Sequence, residues 1–120
     1  MRLRSFTFAF AGWRYVMRTQ HNTWIHALAS VLVIALSLWL GLRPLELAMI
    51  FVAITLVWMA EFLNTALEAV VDLASPQKHP LAKIGKDVGA AAVLLAAIAS
   101  VLIGLLVLGP SLWARISQLF

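Results

Sequence analysis

Glu61, Asn64, Glu68 and Asp72 recur at intervals of three or four residues in a stretch that is otherwise apolar. On a helix turning about 100° per residue they fall within an arc of roughly 80°, while Phe62, Leu63, Leu67, Val70 and Val71 face elsewhere. Three acids in one stripe suit an active site, where carboxylates act as proton acceptors and as oxygen ligands for hard cations. Charged groups at bilayer depth are costly and persist mainly where they face a bundle interior or a wet cavity. The rival reading is a polar stripe at a solvated helix end that helps helices pack. Other catalytic signatures are missing from the chain: there is no Gly-x-x-x-x-Gly-Lys-Ser/Thr, no Gly-x-Ser-x-Gly, no His-Glu-x-x-His and no cysteine. Any metal must therefore be held by oxygen or imidazole.

The stripe ends an apolar segment, residues 45–72, that begins after Gly41-Leu-Arg43-Pro44, a turn that suits a helix start at Pro44. That segment is long enough to leave the membrane at its Glu68 and Asp72 end, so the acids belong near an interface. Before it, residues 1–18 place Phe6, Phe10, Trp13 and Met17 on one face with Arg4, Arg14 and Arg18 beside or opposite, which predicts an interfacial amphipathic helix whose apolar face meets lipid. A cleaved secretory signal is not expected, because Arg14 and Arg18 interrupt a short apolar part and no small-residue cleavage site follows. Gln20, His21, Asn22 and His26 lead into a first span at residues 25–42, in which Ser30 and Ser37 can bond their own helix. After the stripe, Ser75-Pro-Gln77-Lys-His79-Pro80 breaks the helix, and Pro80 suits the first turn of a third span, residues 80–108. There Ala92, Ala96, Ser100 and Gly104 form a small-residue ridge for close packing. Gly109-Pro110 is expected to end that helix and leave residues 111–120 as a short tail.

The 120 residues are 63% hydrophobic and 12% charged, too apolar for a soluble domain of this size. They predict one all-α membrane domain, an N-terminal surface helix followed by three transmembrane helices. Four Lys and Arg precede the first span, three lie between residues 73 and 87, and one each sits at Arg43 and Arg115. The positive-inside bias then puts the N-terminus and the acidic end in the cytoplasm and the C-terminus outside, in a plasma (inner) membrane. The net charge of +4 suits anionic headgroups or a phosphorylated substrate better than nucleic acid.

Glu61-Phe-Leu-Asn64-Thr-Ala-Leu-Glu68-Ala-Val-Val-Asp72, followed by His79-Pro-Leu-Ala and Lys86-Asp87-Val-Gly-Ala-Ala-Ala-Val, strongly resembles the bacterial integral-membrane diacylglycerol kinase family, which includes undecaprenol kinases. The resemblance covers nearly the whole chain and implies a homotrimeric, ATP-dependent lipid kinase that uses magnesium. It makes Glu61 the catalytic base and Glu68 a ligand of the metal accompanying ATP. Asn64, Asp72, Gln77, His79, Lys86 and Asp87 then belong to the nucleotide site. One position departs: the family's second metal carboxylate aligns with Gln20, or with His21 if the register slides. A Gln carbonyl binds magnesium without contributing charge, so weaker metal capture is expected.

Several residues keep two readings. His21 and His26 are either hydrogen-bonded structural groups or catalytic ones. His79 either caps the third helix or contacts nucleotide. Lys86 is either a snorkelling anchor or a phosphate ligand. For the whole chain the alternative to a lipid kinase is a small oligomeric channel or proton-conducting subunit. A pore needs polar residues along a whole span, yet residues 45–59 offer only Glu46 and Thr55. The Ser-Pro-x-x-His-Pro-Leu-Ala-Lys loop looks more like the undecaprenol kinase branch than the diacylglycerol branch.

Overall fold

A computed structural model describes residues 2–120 as four helices: α1 (Arg2–Thr19), α2 (Asn22–Leu40), α3 (Pro44–Ala74) and α4 (Pro80–Ser117). The last three are long and apolar enough to cross a membrane. With 31 residues, α3 is about 46 Å long, well beyond the ~30 Å of hydrocarbon, so one end must emerge. Large apolar side chains such as Leu32, Leu95 and Leu105 lie on the outside of the molecule, where water would make them unfavourable and acyl chains do not. This is an all-α, multi-pass membrane protein.

Each break between helices has a local cause. At the α1–α2 corner the hydroxyl of Thr23, fully buried, donates to the carbonyls of Val16 and Gln20, and Trp24 Nε1 donates to the Met17 carbonyl at 3.0 Å. The first turn of α2 thus adds side-chain donors to carbonyls at the end of α1, those of Val16 and Gln20 also accepting the N–H groups of Gln20 and Thr23. Helix α2 stops at Gly41, whose φ of 65° is left-handed; Leu42 N–H reaches back to the Ser37 carbonyl and Gly41 N–H to that of Leu38. Arg43 is extended, as the residue before a proline prefers, and Pro44 opens α3. Between α3 and α4, the imidazole Nδ1 of His79 accepts the Leu81 N–H at 3.1 Å and Pro80 follows as the first helical residue.

Helices α3 and α4 form the main hairpin. At the Gly41 end, Leu42, Ile50 and Val107 are buried with Val33, Leu47 and Ile103 packed on them. Further along, Ser100 Oγ donates to the Ala53 carbonyl at 2.8 Å and Ala96 is buried. The packed face of α4 includes Gly89, Ala96, Ser100 and Val107, so Ala92, expected on the ridge, lies exposed instead. Helix spacing explains the shift: steps of four drift off the 3.6-residue repeat, so Ala92 falls off the face that holds Ala96 and Ser100.

The expected stop at Gly109-Pro110 is corrected. Helix α4 runs through Pro110 to Ser117, and residues 111–117 are not a separate tail. Proline disfavours helix in its predecessor partly by striking that residue's Cβ, which Gly109 lacks. The extra turns also gain a tertiary contact, with the Arg115 guanidinium 4.7 Å from the centre of the Trp39 ring on α2.

Candidate active site

The acidic stripe lies at the end of the hairpin away from the Gly41 turn, and α2 brings its own polar residues to the same place. Glu61 is only 4% exposed, and its Oε1 is 3.0 Å from His26 Nε2. Two turns along α3, Glu68 takes two amides: Gln20 Nε2 at 3.3 Å on Oε2 and Asn64 Nδ2 at 3.4 Å on Oε1. Gln20, His26, Glu61, Asn64 and Glu68 line one cavity of about 490 Å³ together with Ala90, Val93 and Ala97 of α4. Gln20, not His21, is therefore the side chain brought to Glu68; His21 is exposed.

Asp72 leaves this group. One turn beyond Glu68, about 6 Å along the axis, it lines a second cavity of about 670 Å³ with Gln77, His79, Lys83, Lys86 and Asp87. Lys86 Nζ pairs with Asp72 Oδ1 at 2.5 Å across the hairpin, and Lys83 Nζ with Asp87 Oδ2 at 2.5 Å along α4. Asp87 thus holds Lys83 rather than its neighbour Lys86, because adjacent helical residues diverge while those four apart meet. His79 caps α4 and lines this cavity at once. The stripe therefore serves two compartments, one in which two carboxylates meet an imidazole and two amides, the other in which each of two carboxylates is paired with a lysine ammonium.

The donor set around Glu68 is one carboxylate and two amides. Among the described residues no group of three His, Asp or Glu side chains converges to cage a metal ion. Magnesium commonly keeps waters and is held by one or two carboxylates together with substrate phosphates. Glu68 with Gln20 suits an ion that arrives with a nucleotide, and not one held by protein alone. Asn64 Oδ1, buried and without a hydrogen-bond partner among the described residues, points at the helix seam: a Cβ built on Gly89 would overlap it.

Two features of the site escaped the sequence. His26 is the residue that reaches Glu61, a partnership across 35 positions with no local signal. Trp13 of α1 lies with its ring 5.5 Å from Trp58 and 5.2 Å from Phe62, the residues three before and one after Glu61. Part of the face expected to meet lipid is thus turned onto α3, while Phe6 and Phe10 remain exposed. Aromatic residues at both 13 and 58 were the available hint, but nothing in the sequence says that they meet.

Residues 7–108 match the family profile described as prokaryotic diacylglycerol kinase. The chain belongs to this family. Every cavity residue named above lies within the matched segment. Over 92% of its length the chain is 48% identical to a diacylglycerol kinase of Synechocystis sp., of which it spans 63%. It is 39% identical over 91% of its length to an undecaprenol kinase of Bacillus subtilis, spanning 89% of that protein. A diacylglycerol kinase of Escherichia coli is 36% identical over 62% of this chain and 61% of its own. Family membership places the two cavities within a fold whose named members are lipid kinases.

Proposed function

We propose that this protein transfers the γ-phosphoryl group of ATP to the hydroxyl of a membrane lipid alcohol, diacylglycerol or undecaprenol, at the cytoplasmic face of the plasma membrane. The observation that carries the reading is Glu61: a buried carboxylate with one oxygen held by His26 and the residue facing a cavity that also contains Glu68. A carboxylate so placed can take the proton of an acceptor hydroxyl. The lipid oxygen bonds to the γ-phosphorus, the bond from phosphorus to the β–γ bridging oxygen breaks, and its electron pair leaves with ADP. Phosphoryl transfer asks a protein mainly for positioning and for neutralisation of charge.

Glu68 and Gln20 would hold magnesium, which would supply neutralisation of phosphate charge. Lys86, held towards the hairpin by Asp72, offers an ammonium to phosphate oxygens, and Asn64, Gln77, His79 and Asp87 complete the walls around the nucleotide. Cytoplasmic placement rests on the Lys and Arg bias, and a homotrimer on the family resemblance together with the apolar outer faces of α2 and α4. The channel reading loses support from the buried apolar cluster of Leu42, Ile50 and Val107, which occupies the end of the bundle that a conducting path would have to cross.

The relatives' names divide between the two lipids, so both are offered to the purified protein in identical micelles with radiolabelled ATP and magnesium. A phosphorylated lipid from either supports the reading, and the faster one names the acceptor. If neither lipid acquires label, the protein is not a lipid kinase of this kind.

A further inference from the structure

Among the described residues the Glu61 carboxylate has one side-chain hydrogen-bond partner, His26. An ionised carboxylate can only accept, so His26 Nε2 donates to Oε1. Oε2 takes no protein hydrogen bond, yet it is not among the sealed-off polar atoms, and Glu61 lines the cavity. The backbone that carries the imidazole is itself anchored to α3. Trp58 Nε1 donates to Ser30 Oγ at 3.1 Å, and Ser30 Oγ donates to the His26 carbonyl at 2.6 Å. Since Trp58 precedes Glu61 by one helical turn, the α2 backbone at His26 is keyed to α3 beside the carboxylate that the ring holds.

We propose that His26 is the positioning residue of Glu61: its Nε2–H fixes Oε1 and thereby aims the free Oε2 at the acceptor hydroxyl. The inference rests on the lipid-kinase reading and adds a residue to it. The proton of the hydroxyl passes to Oε2, the phosphoryl group moves to the lipid oxygen, and His26 stays on Oε1 throughout. It touches neither substrate in this role and acts only through Glu61. A buried carboxylate left without its donor would turn towards any other N–H or water within reach, and misplacement of a reacting group by about 1 Å costs on the order of a hundredfold in rate.

The test measures kcat and both Michaelis constants for wild type, His26→Ala, His26→Asn, His26→Gln, Glu61→Gln and the His26→Ala/Glu61→Gln double variant, with assembled protein quantified for each. His26→Ala should lower kcat by about 30-fold and leave the Michaelis constant for ATP within about twofold. Gln carries an amide N–H at nearly the reach of Nε2 and should restore most of the loss, whereas the shorter Asn should not. In the Glu61→Gln background the removal of His26 should cost nothing further, because its effect passes through that carboxylate. Unchanged kcat in His26→Ala overturns the inference while leaving the kinase reading intact. So do equal rates for Asn and Gln, or losses that multiply in the double variant. The Asn and Gln pair decides the matter even where the alanine variant fails to assemble. A wild type that labels no lipid overturns the kinase reading and this inference with it.

Discussion

Glu61 and Glu68 stand two helical turns apart and face the same cavity, but their neighbours differ. An imidazole N–H holds one oxygen of Glu61 and, among the described residues, the other has no side-chain partner, an arrangement suited to accepting a proton. Two neutral amides occupy both oxygens of Glu68, and neither brings charge, so a cation would find there a single anionic ligand. Glu61→Gln is therefore expected to cut turnover by about a hundredfold or more while folding and nucleotide affinity stay near wild type; near-normal turnover would remove it from the role of base. Gln20→Glu should lower the magnesium concentration that gives half-maximal activity, and an unchanged magnesium titration would count against Gln20 as a ligand. Lys86 is more exposed, paired with Asp72 in a contact that water and salt screen, so its loss should hardly change stability. Lys86→Ala should instead raise the Michaelis constant for ATP several-fold with that for lipid unmoved. Equal shifts for both substrates, or loss of assembled protein, would identify a membrane anchor.

The hairpin of α3 and α4 carries these side chains, and its close approach at Gly89 is what brings Asn64 into the seam. A methyl group there would strike Asn64 Oδ1 and crowd Leu67 Cδ2 at 3.1 Å, so Gly89→Ala should destabilise the fold by about 1–3 kcal/mol, read from denaturant or thermal unfolding. Adding Asn64→Ala should recover part of that stability and none of the activity. If Gly89→Ala unfolds like wild type, the helices are not as close as the seam requires. Element boundaries set by local chemistry were legible in the sequence: Gly41 and Pro44 mark one turn, and His79 and Pro80 mark the next helix start. The run of α4 past Pro110 was not, because its tertiary contact joins Arg115 to Trp39, far apart in the chain. The stripe on α3 was legible because helical periodicity alone aligns it. Its partners His26 and Trp13 were not, because which face of α2 or α1 meets α3 depends on two corners whose angles no local pattern states. The Lys83–Asp87 pair is legible in the sequence from its spacing of four, whereas Lys86 and Asp87, being adjacent, point away from each other on a helix.

At the scale of the whole molecule, polarity is gathered at one end of three apolar helices, and a site that uses ATP works only if that end faces the cytoplasm. Seven of the nine Lys and Arg lie on α1 or between α3 and the start of α4, against Arg43 and Arg115 at the other end. On the proposed orientation, drawn from the positive-inside bias, the cavities would face the cytoplasm. Because the chain has no cysteine, single cysteines report sidedness without a background. Leu45→Cys, beside the Arg43 turn, and Gln77→Cys, in the loop before α4, are both at exposed positions and alter no charge. In intact cells a membrane-impermeant thiol reagent should label Leu45→Cys at once, and Gln77→Cys only after the membrane is opened. The reverse pattern would put Glu61, Glu68 and Lys86 on the side without ATP, and a kinase reading could not survive it even with every side chain in place.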